Sequence, residues 1–211
     1  MKKAVLFDFG GVITTSPFDA FARYEEANGL PVGLIRQINS TNPDSNAWAR
    51  LERREVDPAG FAQLFAAEAA ELGYQVTGEA ILGLLSGDVR PEMVAAVKRL
   101  KGEGLKVACL TNNIRPHSDD NSAKPEVAEA MSYFDHVIES SVVGVRKPEP
   151  EFYHIALETV GVAAEDAVFL DDLGINLKTA KALGMVTIKV IAPNQALSEL
   201  SDVVGIDLLA D

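Results

Sequence analysis

The chain has 211 residues, 47% of them hydrophobic, enough for one α/β core of ordinary size and a small inserted unit, and too apolar for a disordered chain. A formal net charge of −12 repels a phosphodiester backbone and excludes nucleic acid as the main partner. An anionic small substrate would need local positive charge from a metal or a lysine.

Residues 4–7, Ala-Val-Leu-Phe, open the chain as an apolar run that stops at Asp8. That is too short for a secretion leader and reads as a buried strand. No apolar run approaches the roughly 18 residues that a membrane helix needs. A soluble, cytoplasmic protein without membrane or nucleic-acid partners is therefore expected, acting as a monomer or homodimer. The single cysteine, Cys109, permits no intrachain disulfide and fits a reducing compartment; its apolar neighbours mark it as core.

Further strand-like runs follow at 106–110, 136–138, 167–170 and 186–190, several ending in polar or acidic residues. Between them lie helical spacings such as Met93, Ala96, Val97, Leu100 and Phe152, Ile155, Ala156, Val160. Pro91 and Pro150 sit where helices start, and Gly104, Gly161 and Gly184 where they stop. This alternation predicts an α/β fold, a Rossmann-like parallel sheet flanked by helices, with its ligand crevice at the carboxyl ends of the strands. Residues 16–87 show no strand and recurrent helical patterning, as in Phe61, Leu64, Phe65, Ala69 and Leu72. They read as a small helical cap inserted after the first strand, with a polar loop at 39–46. The core is then 1–15 with 88–211.

The chemistry-bearing residues fall at the predicted strand ends. Asp8 precedes Gly10 and Gly11, where the chain must turn and a ligand can approach the backbone; a plain turn explains the cluster equally well. Thr111 and Asn112 offer a hydroxyl, an amide and backbone N–H groups suited to phosphoryl oxygens. Lys147, held extended by Pro148, supplies a point charge. Asp171 and Asp172 place two like charges side by side, unfavourable unless a cation is present. Mg²⁺ suits such oxygen ligands, and Asn176, a helical turn beyond Asp172, is positioned to orient that carboxylate.

The ordered motifs FDFGGVI, LTNN, VRKPEPEFY and VFLDDLGINLKTAKALGM resemble those of the haloacid dehalogenase superfamily over essentially the whole chain. The later ones are most similar to the N-terminal phosphatase domain of soluble epoxide hydrolases and the related domain of acyl-CoA dehydrogenase fusion proteins. The resemblance implies that Asp8 attacks phosphorus and that Thr111, Asn112 and Lys147 bind the transferring group. It implies Asp8, Asp172 and the Gly10 carbonyl as protein ligands to Mg²⁺, with Asp171 and Asn176 behind them, and a small phosphorylated metabolite as substrate. The physical roles agree: a carboxylate nucleophile divides the reaction, while metal and lysine neutralise phosphoryl charge.

One position departs from that pattern. Phosphatases of this superfamily carry a second Asp two residues after the nucleophile as general acid and base, and here Gly10 stands there. Loss of such a group costs about 10²–10⁴-fold in rate. Three readings follow: a phosphatase that takes its proton elsewhere, with His117 or Asp119 as candidates; a haloacid dehalogenase, whose halide leaving group needs no proton but whose chemistry leaves Asp171-Asp172 unexplained; or a low-activity phosphate-binding or regulatory protein. In the insert, Trp48, Arg50, Arg53 and Arg54 could face the crevice, but the mixed charges of residues 50–55 favour an ordinary solvated helix face.

Overall fold

The computed structural model describes residues 2–112 and 124–209. Its centre is a parallel sheet of five strands: β1 (Ala4–Phe7), β2 (Lys106–Thr111), β3 (His136–Glu139), β4 (Ala167–Asp171) and β5 (Val186–Lys189), in spatial order β3-β2-β1-β4-β5. Ala4 pairs with Lys106 on one side and Ala167 on the other, so β1 is central. Its four residues are fully buried, as a strand covered on both faces requires.

Alternate side chains of β1 go to opposite faces. Val5 and Phe7 join the cluster that contains Met93, Val97 and Leu100 together with Leu197 and Leu200. Ala4 and Leu6 join Phe152, Tyr153, Ala156 and Leu177. The crossovers thus lay helices on both faces, the layering the alternating sequence predicts.

Between β1 and the helix before β2 the chain forms five helices: α1 (Pro17–Ala27), α2 (Leu34–Ser40), α3 (Ala47–Glu52), α4 (Pro58–Glu71) and α5 (Gly78–Gly83). They bury their own apolar cluster around Phe61, Phe65, Trp48, Ile35 and Ile38, with the Trp48 and Phe61 rings edge to face at 4.8 Å. The polar stretch expected as a loop over 39–46 is shorter, because α2 continues through Asn39 and Ser40. Asn46 ties the remainder by donating from its amide to the Asn39 and Thr41 carbonyls. The two connectors to this helical segment lie together: Thr14 bridges Val89, Thr15 N donates to Asp88 O, and Arg90 N to Ile13 O.

Among the described residues the remaining α-helices are α6 (Pro91–Gly102), α7 (Pro125–Ser132), α8 (Ser140–Val143), α9 (Pro150–Val160), α10 (Gly174–Ala182) and α11 (Pro193–Val204). Pro91 and Pro150 open α6 and α9, and Gly161 closes α9 in the left-handed region. Cys109 is buried in β2. Among the described residues no helix is long and apolar enough to cross a membrane.

Candidate active site

Because β2, β1 and β4 are neighbours and parallel, their carboxyl ends bring Thr111, Asp8 and Asp171-Asp172 to one edge. Asp8 follows β1 and leads into a wide turn over Phe9–Ile13, its Oδ1 accepting from Phe9 N at 2.6 Å. Gly11 takes φ +81°, and a Cβ there would stand 2.2 Å from Asp172 Oδ2, so this position needs glycine on two counts. Gly10 needs it on neither. Its φ is −68°, and no heavy atom lies within 4 Å of an added Cβ. The turn is held from outside by Arg90, which donates to Gly11 O at 2.8 Å.

Lys147 arrives from the loop between α8 and α9 with its side chain fully buried. Its Nζ lies 2.7 Å from Asp8 Oδ1 and 2.9 Å from Asp171 Oδ2. Burial acts to lower the pKa of this ammonium, but Asp171 and Asp8 outweigh it and hold the pKa above that of an ordinary lysine. Burial pushes the Asp8 carboxyl well above the usual carboxylate range, against the opposing pull of Lys147. The proton of this pair belongs on the lysine, which answers two carboxylates at hydrogen-bond distance.

The two acids of the pair have separate tasks. Asp171 is the last residue of β4 and fully buried; it accepts from Lys147, from Leu173 N at 2.7 Å and, through both oxygens, from Asn176 Nδ2. Asn176 therefore orients Asp171, not Asp172 as its spacing suggests. Residues 172 and 173 precede the start of α10 at Gly174, so helical spacing cannot be counted from Asp172. Asp172 turns instead toward the glycine backbone, and its Oδ2 accepts from Ser16 Oγ at 3.3 Å. Burial and then the Asp171 charge push its carboxyl up to about 6.

Asp8, Asp171 and Asp172 bring one oxygen each within 4.8 Å of one another. Among the described residues a single ammonium, that of Lys147, pairs with members of this trio, and the donor atoms are all hard oxygens, so the cluster fits a divalent cation such as Mg²⁺.

Thr111, at the end of β2, lines the same cavity as Asp8, Lys147 and Asp172. The Asn112 side chain is already engaged: its Oδ1 accepts from Lys147 N at 2.9 Å, and its Nδ2 donates to Lys147 O at 3.0 Å and to Glu52 Oε2 at 3.1 Å. The sequence gives no sign of the last bond. Glu52 ends α3, and it also pairs with Arg146, while Arg53 pairs with Glu149 at 2.7 Å. Side-chain exposures of 15% for Glu52 and 17% for Arg53 show that part of the presumed solvated face reaches across to the core. Arg54 is exposed. Burial raises the Glu52 carboxyl, with Arg146 opposing. His117 and Asp119, the candidate proton donors, lie outside the described residues.

The cavity over this edge has a volume of about 680 Å³, and its wall combines the residues at the carboxyl edge of the sheet with Phe9, Phe18, Phe21, Trp48 and Leu85. The apolar part comes mainly from the inserted helices.

Residues 2–184 match the family model described as haloacid dehalogenase-like hydrolase. Among curated relatives, acyl-CoA dehydrogenase family member 10 of Mus musculus is 33% identical over 98% of this chain and 19% of its own length. Bifunctional epoxide hydrolase 2 of Sus scrofa is 30% identical over 98% of this chain and 40% of its own length. The chain thus spans a fifth and two fifths of these larger proteins. The sesquiterpene phosphatase astK of Aspergillus oryzae is 28% identical over 96% of this chain and 97% of its own length. A family enzyme from Bacteroides thetaiotaomicron, solved with magnesium and inorganic phosphate, shares the fold with a TM-score of 0.59 at 22% identity, covering 90% of this chain and 94% of its own. With the motifs at the strand ends and the family model spanning most of its length, this chain belongs to the haloacid dehalogenase-like hydrolases.

Proposed function

We propose that this hydrolase is a Mg²⁺-dependent phosphomonoesterase acting on a small organic phosphate through a covalent aspartyl-phosphate on Asp8. The observation that carries the reading is the charge arrangement at the sheet edge: Lys147 clamped between Asp8 and Asp171, with Asp172 beside them and, among the described residues, in no ion pair of its own. Asp8 Oδ1 is held by Lys147 and Phe9 N, which leaves Oδ2 as the attacking oxygen. It forms the O–P bond as the ester oxygen departs, and water then cleaves the acyl phosphate to return the carboxylate. Thr111, Lys147 and the backbone N–H of Asn112 stabilise the phosphoryl oxygens. Asp8, Asp172 and the Gly10 carbonyl would hold Mg²⁺, which when bound neutralises charge on the transferring group.

Residues 16–87 act as the cap, excluding water and selecting the organic group. The aromatic lining of the cavity favours a phosphate ester with an apolar body over a free sugar phosphate. Gly10 provides no proton for the leaving oxygen, which favours esters whose alcohol departs readily. The same glycine would suit halide displacement, but that reaction leaves the acid cluster without purpose.

The test is phosphate release from p-nitrophenyl phosphate and a panel of alkyl phosphates, with and without Mg²⁺, against an Asp8→Asn control, with chloride release from 2-chloropropionate in parallel. Metal-dependent phosphate release that vanishes in the control is expected. Metal-independent chloride release would replace this reading, and silence on every ester would leave a binding protein.

A further inference from the structure

Asn112 grips Lys147 by both of its backbone polar groups, the N–H at 2.9 Å and the carbonyl at 3.0 Å. A side-chain amide is planar, so a third bond fixes the plane in which those two are made. That third bond is from Nδ2 to Glu52 Oε2 at 3.1 Å, and Glu52 belongs to α3 of the inserted helices, 60 residues away in sequence. Glu52 also pairs with the guanidinium of Arg146, the residue that precedes Lys147 in the chain. A single carboxylate of the cap therefore holds the catalytic lysine's backbone through Asn112 and its chain neighbour through Arg146.

We propose that Glu52 is a positioning residue that couples the seating of α3 to the placement of the Lys147 ammonium over Asp8. An opened cap would withdraw the carboxylate, free the Asn112 amide to turn and let Lys147 drift from Asp8. A seated cap restores the three-bond frame. A misplacement on the order of 1 Å at such a group is enough to cost a large factor in rate, so the enzyme is fully competent only when the substrate-selecting helices are docked.

Three variants separate this role from plain docking. Glu52→Met removes the acceptor for Asn112 and the Arg146 pair, Glu52→Gln keeps an acceptor for Asn112 and loses the charge, and Arg53→Met breaks a second ion pair from the end of α3 to the core, to Glu149, without touching Asn112. The kinetic comparison rests on the phosphatase reading; hydrogen exchange at the Lys147 amide does not. Glu52→Met should lower kcat on p-nitrophenyl phosphate about tenfold or more with little change in KM, and speed exchange of the Lys147 amide by about tenfold. Glu52→Gln should recover most of both, and Arg53→Met should leave both within about twofold of the parent. Equal exchange at Lys147 in Glu52→Met and Arg53→Met would overturn the coupling, as would a Glu52→Gln variant no better than Glu52→Met. The expected exchange pattern in a protein that releases no phosphate would keep the coupling and remove the catalytic reading instead.

Discussion

The backbone of Gly11 lies directly beneath the Asp172 carboxylate, so close that a methyl group there would stand 2.2 Å from Oδ2. Gly11→Ala should destabilise the protein by about 2–4 kcal/mol, from overpacking and from φ +81°. Because the displaced group is Asp172, the variant should also bind Mg²⁺ more weakly. Urea unfolding with and without the ion measures both; unchanged affinity would separate Asp172 from the metal site.

Gly10 is the opposite case, with ordinary backbone angles and open space around a Cβ. Gly10→Asp should fold with stability close to the parent and raise kcat on alkyl phosphates, where protonation of the leaving oxygen limits the rate, by about 10²-fold or more. On p-nitrophenyl phosphate, whose leaving group departs without a proton, the gain should be small. Equal gains on both substrates would refute a missing acid as the cause.

Lys147→Met leaves Asp8 and Asp171 buried against one another without their shared ammonium. Removing one partner of a buried ionic cluster costs about 3–5 kcal/mol. The loss should be largest at neutral pH and smaller near pH 4, where Asp8, its carboxyl raised by burial, takes up a proton. Thermal melts across that range, together with loss of turnover, check it.

Asp172 gives a stability profile of known sign. Its carboxyl rises from 3.8 to about 6 on folding, so below pH 3.8 both states are protonated and the group contributes nothing. Between those values the unfolded chain ionises first, and above about 6 the metal-free fold carries the full penalty, about 3 kcal/mol at most. Without divalent cations this group lowers stability as pH climbs from 4 to 7. Mg²⁺ should therefore raise the melting temperature far more at pH 7.5 than at pH 4.5; equal shifts at the two values would contradict the assignment.

The strands and their polar ends are legible in the sequence because each is a local pattern, an apolar run closed by a residue that bonds. Asp8, Thr111 and Asp171 lie on such ends, and the sheet order makes neighbours of them. The partner of Asn176 is not legible, since the chain between β4 and α10 is neither strand nor helix and no periodicity applies across it. Nor is the bond from Glu52 to Arg146, which joins residues 94 apart through packing of two helical layers. Residues 50–55 read as solvated because charge alone does not tell which members of a mixed face meet a partner.

The central position of β1 bears on how this chain is made. Its four apolar residues precede both of their partners in the chain, Lys106–Thr111 and Ala167–Asp171, and neither edge of the strand can be satisfied until those segments have been synthesised. Parallel pairing over such separations is slow because loop closure precedes any reward. Meanwhile the helices from Pro17 to Gly83 can gather around Phe61 and Phe65 by short-range contacts alone. The nascent chain can thus build its lid before its floor, and Asp8 waits at the end of an unpaired strand until Ala167–Asp171 has been made.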